Sequence, residues 1–172
     1  MSLRILIAPS GFKESLGVDE VADCIEQGIL RVMPSAIVKK IPLVDGGEGF
    51  TQTLVAATGG TLHKVKVVGP VGFPVPSHFG FLGNTTVKTA VLEMAAAAGL
   101  RLVPSDARNP LTTTTFGVGE LITAALDMGA ERILIGCGDS GTNDGGAGMA
   151  RALGVRLLDQ AGEQIGFGGG EL

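Results

Sequence analysis

Apolar positions along this chain recur in two periods, and the switches between them mark the elements. Leu3 to Ala8 is a short, nearly continuous apolar run, the pattern of a strand buried on both faces. Pro9 ends it, and Ser10-Gly11-Phe12-Lys13-Glu14-Ser15 follows as a polar loop. Val18, Val21, Ala22, Ile25, Ile29 and Val32 then recur at helical spacing, with Asp19, Glu20, Asp23 and Glu26 on other faces. Ser15 or Gly17 stands in position to cap that helix, and Pro34 follows its end. Ala36 to Val44 reads as a second strand and Asp45-Gly46-Gly47-Glu48-Gly49 as a second polar loop, before a helix that Gly59-Gly60 stops. Strand, polar loop, helix, twice over, predicts parallel pairing through crossovers.

The middle changes period. Thr61 to Val68 alternates, a Gly- and Pro-rich turn follows, and Ser77 to Leu82 and Thr86 to Leu92 read as strands separated by Gly83-Asn84. An antiparallel meander inserted near 61–92 in an α/β frame is the expectation. Ala95 to Leu100 reads as a short helical turn, Arg101 to Pro110 as a loop, and Thr112 to Thr115 leads into a helix near Gly117 to Met128, with Val118, Leu121, Ile122, Ala125 and Leu126 on one face. Ile133 to Ile135 reads as a buried strand and Ala147 to Leu153 as a helix. The segment between them carries glycines at 136, 138, 141, 145 and 146, with a further one at 148 inside the helix. Strand, glycine-rich turn and helix N-terminus make an anion site, because glycine lets the backbone approach and unpaired N–H groups point at the ligand. Val155 to Leu158 reads as a last strand. Gly166 to Leu172 is another glycine-rich approach that stops where a helix is expected, so the sequence reads as the first part of a longer pattern.

Composition narrows the classes. The 172 residues suit one domain with its own core, which must be aliphatic, since apolar residues make up 45% but aromatics only 4%. A net charge of −4 gives no basic face for nucleic acid, and no run of about 18 apolar residues exists to span a membrane. Cys24 and Cys137 lack metal or redox spacing and read as free thiols of a reducing compartment, with the cytoplasm expected.

Ligands of parallel α/β sheets bind beyond the carboxyl ends of the strands, where three loops of this chain follow strands: 10–15, 45–49 and 136–148. Lys13 is a cation suited to a phosphate or carboxylate oxygen. Asp45, Glu48, Asp139 and Asp144 are carboxylates that can hold Mg²⁺ or take a proton from a hydroxyl. Ser140, Thr142 and Asn143 can orient either partner, and Asp144 can equally cap the helix behind it. These are the parts phosphoryl transfer needs. Gly136-Cys137-Gly138-Asp139-Ser140-Gly141 also fits a dinucleotide fingerprint with Asp159 as its acidic residue, which would make the chain an oxidoreductase. Against it, the polar extension 142–146 delays the helix. His63 and His78 lie in the meander, away from the cysteines, so a zinc site is not expected.

Five linked motifs carry a resemblance. A-P-S-G-F-K-E-S-L at 8–16, P-L-V-D-G-G-E-G at 42–49, E-M-A-A-A-A-G-L at 93–100, N-P-L-T-T-T-T-F-G-V-G-E-L at 109–121 and G-D-S-G-T-N-D-G-G-A-G at 138–148 together resemble the bacterial glycerate kinases. The resemblance implies ATP-dependent phosphorylation of D-glycerate, generally to 2-phosphoglycerate, with Mg²⁺ as the partner of ATP. It also implies a Rossmann-like, mostly parallel first domain with flanking helices, here spanning 1–172 as the N-terminal half of the family pattern. Residues 13–15, Asp45, Glu48 and 140–146 are the matching positions. The expected assignment is Lys13, Asp45 and Asp144 for catalysis, Asp45 and Glu48 for metal, and Ser10, Gly138, Asp139, Ser140, Gly141, Thr142, Asn143, Gly145 and Gly146 around the nucleotide phosphates. A half-length chain leaves two further expectations: an incomplete, inactive site, and an apolar face that drives self-association into a homo-oligomer.

Overall fold

Two units make up the chain in its computed structural model, Met1–Asp45 and Gly46–Leu172, and the structure describes residues 2–12 and 15–172. In the first unit β1 (Arg4–Ile7) pairs in parallel with β2 (Ile37–Lys40), Arg4 opposite Ile37 and Ile7 opposite Lys40. The parallel pairing requires a crossover, supplied by α1 (Val18–Val32). Gly17 is the N-cap of α1, and its N–H donates to Glu20 Oε2 at 2.8 Å. Asp19 and Glu20 in the first turn and Arg31 in the last complement the helix dipole. Lys40 bridges Asp23 and Glu26 at 2.5 and 2.7 Å, and these two carboxylates raise its ammonium pKa. The assigned β2 is shorter than the expected 36–44, since Pro42 has no N–H to give a ladder. Ile41 and Leu43 still donate to Ile7 and Pro9. Of the helical stripe, only Val21 and Ala22 are buried.

The second unit is built on a four-stranded sheet in the order β3-β4-β5-β6. β3 (Thr61–Val68) and β4 (Pro74–Phe81) form a hairpin paired from Thr61–Phe81 to Val68–Pro74. Its turn closes through Gly69 N–H to the Phe73 carbonyl. β5 (Thr89–Glu93) runs antiparallel to β4 and parallel to β6 (Arg132–Gly136). The antiparallel meander therefore shares one sheet with the strand that feeds the glycine-rich loop.

Around this sheet lie α2 (Phe50–Thr58), α3 (Ala95–Ala98), α4 (Phe116–Asp127) and α5 (Ala147–Ala152). Every residue of β5 is buried, so both faces of the sheet are covered there. By strand alternation Ala90 and Leu92 face the cluster of Phe79, Val118, Leu121 and Ala125, which includes the inner face of α4. Glu93, of opposite parity, hydrogen-bonds the start of α2. The architecture is mixed α/β, with parallel and antiparallel pairing and flanking helices. Val155 to Leu158, expected as a strand, makes only an isolated bridge from Leu158 to Gln164, because Gly154 and the turn at 159–162 leave it no partner strand. No helix of the described residues is long and apolar enough to cross a membrane.

Phe79 sits at the centre of the second unit's core, 0% exposed, stacked on His63 at 5.4 Å and edge-on to Phe81 at 5.8 Å. Phe79→Ala should lower unfolding stability by about 3–5 kcal/mol, transfer and cavity terms together. Urea denaturation followed by circular dichroism measures this; an unshifted midpoint would remove Phe79 from the core's centre.

Candidate active site

The last two of four consecutive threonines before α4, Thr114 and Thr115, serve one carboxylate. Asp144 is 1% exposed and meets no cation among the described residues. Its charge is met by donors: Thr115 N–H at 2.8 Å, Thr115 Oγ1 at 3.0 Å, Thr114 Oγ1 at 3.4 Å, Gly146 N–H at 3.1 Å and Gly148 N–H at 3.0 Å. The Thr115 hydroxyl also accepts the Met149 N–H at 2.9 Å, tying the starts of α4 and α5 together. Gly148 must lack a side chain, since a Cβ would meet the Thr114 hydroxyl and lie 2.7 Å from Phe116 N. The anion at the N-terminus of α5 is thus the chain's own Asp144. A phosphate at that helix end, as the motif suggested, would have to displace it.

The loop ahead of the helix is held from two sides. Gly138 N–H donates to the Gly46 carbonyl at 2.9 Å, and Glu48 N–H to Asp139 Oδ2 at 3.1 Å. On the other side Gly141 N–H donates to Ala98 and Leu100 N–H to the Asp139 carbonyl. Asp139 adopts φ +53°, a left-handed conformation aspartate tolerates better than most residues. A Cβ at Gly138 would run into the Gly47 backbone, so glycine is what allows the two loops to meet. The 46–49 segment is in turn fixed by Glu93, whose carboxylate accepts Gly49 N–H at 3.0 Å and Thr51 N–H at 2.7 Å. Ser140, Thr142 and Asn143 have backbone N–H groups that donate to no acceptor among the described residues.

The expected residues fall into three groups. Gly138 to Gly146 and Glu48 come together in the second unit. Within that stretch Gly146 has its N–H engaged by Asp144, and Gly145 adopts φ +57° in the turn before the helix. Ser10 and Asp45 belong to the first unit, both exposed, Ser10 beside Phe12 and Leu16 in an apolar hollow. Lys13, and Glu14 next to it, lie outside the described residues. Glu48 is half-buried and ion-paired with Arg101 at 2.9 Å. No group of three or more His, Cys, Asp or Glu side chains suited to a metal occurs among the described residues. The Asp159 carboxylate accepts Ala161 and Glu163 N–H groups at 2.8 and 2.9 Å. It is committed to its own turn, and the dinucleotide reading loses its acidic residue.

Sequence reasoning missed Glu93, Arg101 and Arg108. Glu93 enters the sequence reading only as the first residue of the motif at 93–100; a lone acid flanked by the apolar residues 90–92 and 94–98 is a signal for a buried hydrogen-bonded carboxylate. Arg101 and Arg108 were absorbed into a loop, and nothing local marks them as facing the glycine-rich segment.

Asp144→Asn replaces an acceptor oxygen by an amide that faces N–H and O–H groups. Each donor left unpaired costs about 1–3 kcal/mol, so a total loss of about 3 kcal/mol is expected. Denaturant unfolding would measure it, and amide exchange at Gly146 and Gly148 should accelerate in step. Parental stability in this variant would mean that the threonine and glycine donors do not depend on the charge.

Comparison with known proteins identifies the family. The model of the glycerate kinase family matches residues 5–172. A glycerate kinase of Bacillus subtilis (strain 168) is 58% identical over 170 residues, which is 99% of this chain and 44% of that protein. A glycerate 2-kinase of Escherichia coli (strain K12) is 51% identical over the same share of each chain. A crystal structure from Salmonella typhimurium LT2, of a protein assigned as a glycerate kinase 2, superposes with TM-score 0.73 at 50% identity over 99% of this chain and 45% of that one. The chain therefore spans somewhat under half the length of the relatives it matches. From its motifs, its sheet and these likenesses, the chain belongs to the glycerate kinase family.

Proposed function

We propose that this chain takes part in the ATP-dependent phosphorylation of D-glycerate, giving 2-phosphoglycerate. The observation that carries the reading is the loop 138–143, braced between 46–48 and 98–100, with the Ser140, Thr142 and Asn143 N–H groups meeting no acceptor among the described residues. Backbone donors fixed on a rigid frame stabilise developing phosphate charge without reorganising during the reaction. ATP supplies the phosphoryl group, and Mg²⁺ neutralises its oxygens when bound. Magnesium in such sites takes one or two carboxylates and completes its shell with phosphate and water, so it needs no three-carboxylate cage. Asp45 and Glu48 remain the proposed ligands, and Asp139 stands beside Glu48 to share that task.

Asp144 has the wrong surroundings for a base, since both of its oxygens already accept hydrogen bonds in a buried pocket. We assign it a positioning role. An exposed carboxylate, Asp45, is the better candidate to take the proton of the substrate hydroxyl. Lys13 is retained as the cation for phosphate on its sequence position alone.

A coupled assay of ADP release, with and without D-glycerate, tests the reading on the 172-residue chain. Glycerate-dependent ADP release would mean that these loops suffice for catalysis, against the incomplete site expected of a half-length pattern, and ATP consumption indifferent to glycerate would remove the reading. Gly138→Ala should reduce turnover on the order of 100-fold by pushing the two loops apart while leaving the core folded. Lys13→Ala should reduce it on the order of 100-fold or more through lost charge stabilisation. An unchanged rate would return Lys13 to an ordinary solvated loop.

A further inference from the structure

Glu93 is buried, and its two oxygens hold the 46–51 stretch by the N–H groups of Gly49 and Thr51. One titratable side chain stands over it. His78 Nε2 lies 4.0 Å from Glu93 Oε1, too far for a hydrogen bond and within reach of an ion pair once the ring is charged. That nitrogen is enclosed and meets no hydrogen-bond partner among the described residues. Resting on the reading that the 46–49 loop serves catalysis, we propose that His78 is a proton-dependent positioning residue, which acts on that loop through Glu93.

Strand geometry brings the two side chains together. β4 and β5 pair with Gly80 opposite Val91, so the antiparallel ladder sets His78 across from Glu93. Both face α2, since a Cβ at Gly80, of the same parity as His78, would meet Val55 of that helix. A neutral ring gives Glu93 no bond at this distance. A charged ring is a donor beside Oε1, the oxygen that accepts Gly49 N–H at 3.0 Å, while Oε2 is left to Thr51 at 2.7 Å. A charge-assisted bond is roughly twice as strong as a neutral one, so the imidazolium draws Oε1 from Gly49. Acid thereby loosens the loop whose Gly46 carbonyl holds the Gly138 N–H, and base restores the hold. Few other charges face the ring. Lys64, opposite His78 on β3, and Lys66 beyond it are exposed, where water and salt screen them. α2 has no ionisable side chain, and Glu48 in the loop is paired with Arg101. His63 lies on the other face of the sheet, stacked on Phe79.

Two-dimensional NMR of the 172-residue chain, titrated from about pH 8 to about pH 5, tests this without any ligand. The Gly49 amide proton should move upfield with the same midpoint as the His78 ring. Its hydrogen exchange, corrected for the intrinsic effect of pH, should quicken by about threefold to tenfold. The Thr51 amide, held by the other oxygen, should respond less. His78→Gln should abolish the Gly49 response with the circular dichroism spectrum unchanged, and His63→Gln should leave that response in place. If His78→Gln fails to fold, the parent titration still decides, because the Gly49 and His78 midpoints have to coincide. A Gly49 amide that ignores the His78 midpoint, a larger response at Thr51 than at Gly49, or a response that survives in His78→Gln would each overturn the proposal. In turnover, His78→Gln should remove an acid limb from the pH profile of kcat. The amide coupling without glycerate-dependent ADP release would sink the kinase reading and keep the link from His78 to the loop. Turnover whose acid limb survives in His78→Gln would keep the kinase and remove His78 from its control.

Discussion

A buried carboxylate without a cation has to be stabilised by donors, or it disrupts the fold that buries it. Asp144 is stabilised by backbone N–H groups of Gly146, Gly148 and Thr115 and by two threonine hydroxyls, at the start of α5 where the helix dipole favours negative charge. The consequences spread outwards. Thr115 begins α4, so the charge at one helix fixes the entry of the next. Gly148 has to stay small to let the strands of chain meet. The buried face of α4 then closes the core over β4 and β5. A motif that reads as a ligand site is, at its helix end, a structural device.

What remains for a ligand is the loop before that helix, and its geometry also depends on carboxylates that accept backbone N–H groups. Glu93 caps the start of α2 from β5, and Asp139 accepts from Glu48 across the gap between two loops. Rigid strands and helices thereby hold two irregular segments at fixed separation, which is how loops acquire precision. Glycine at 138 and 141 is required by contact rather than by flexibility, since a Cβ at either would strike backbone.

Hydrophobic periodicity alone reveals most of the frame. The helices at 18–32, 50–58 and 116–127 and the hairpin at 61–81 follow from spacing and turn residues that act locally. The loops 45–49 and 138–146 were legible as chemistry because glycine, acid and hydroxyl residues crowd there after strands. Other features were hidden for a physical reason: they are pairings across long stretches of chain. The bond from Thr51 to Glu93 spans 42 positions and that from Arg101 to Glu48 spans 53. No window of sequence contains both partners. The resemblance to a family located the motifs, yet assigned no donor to any acceptor; only the fold did that, and it gave Asp144 to the threonines.

Charge at this site is a local matter. The chain is acidic overall, yet Arg101 is paired with Glu48, and Arg108 lines a hollow together with Ser140, Gly141 and Thr142. Beyond about 8–10 Å in physiological salt the distant acids are screened, whereas a cation within hydrogen-bonding distance of a ligand is not. The Glu48–Arg101 pair then acquires a second meaning. Arg101 is largely exposed, with 68% of its side chain accessible, so the pair contributes little to stability and can be opened cheaply. A divalent cation brought in with phosphate would compete for the same carboxylate, and the released guanidinium would be left beside the incoming negative charge. On the proposed reading, this exposed ion pair would serve as a reversible placeholder that keeps the carboxylate oriented until a stronger partner arrives.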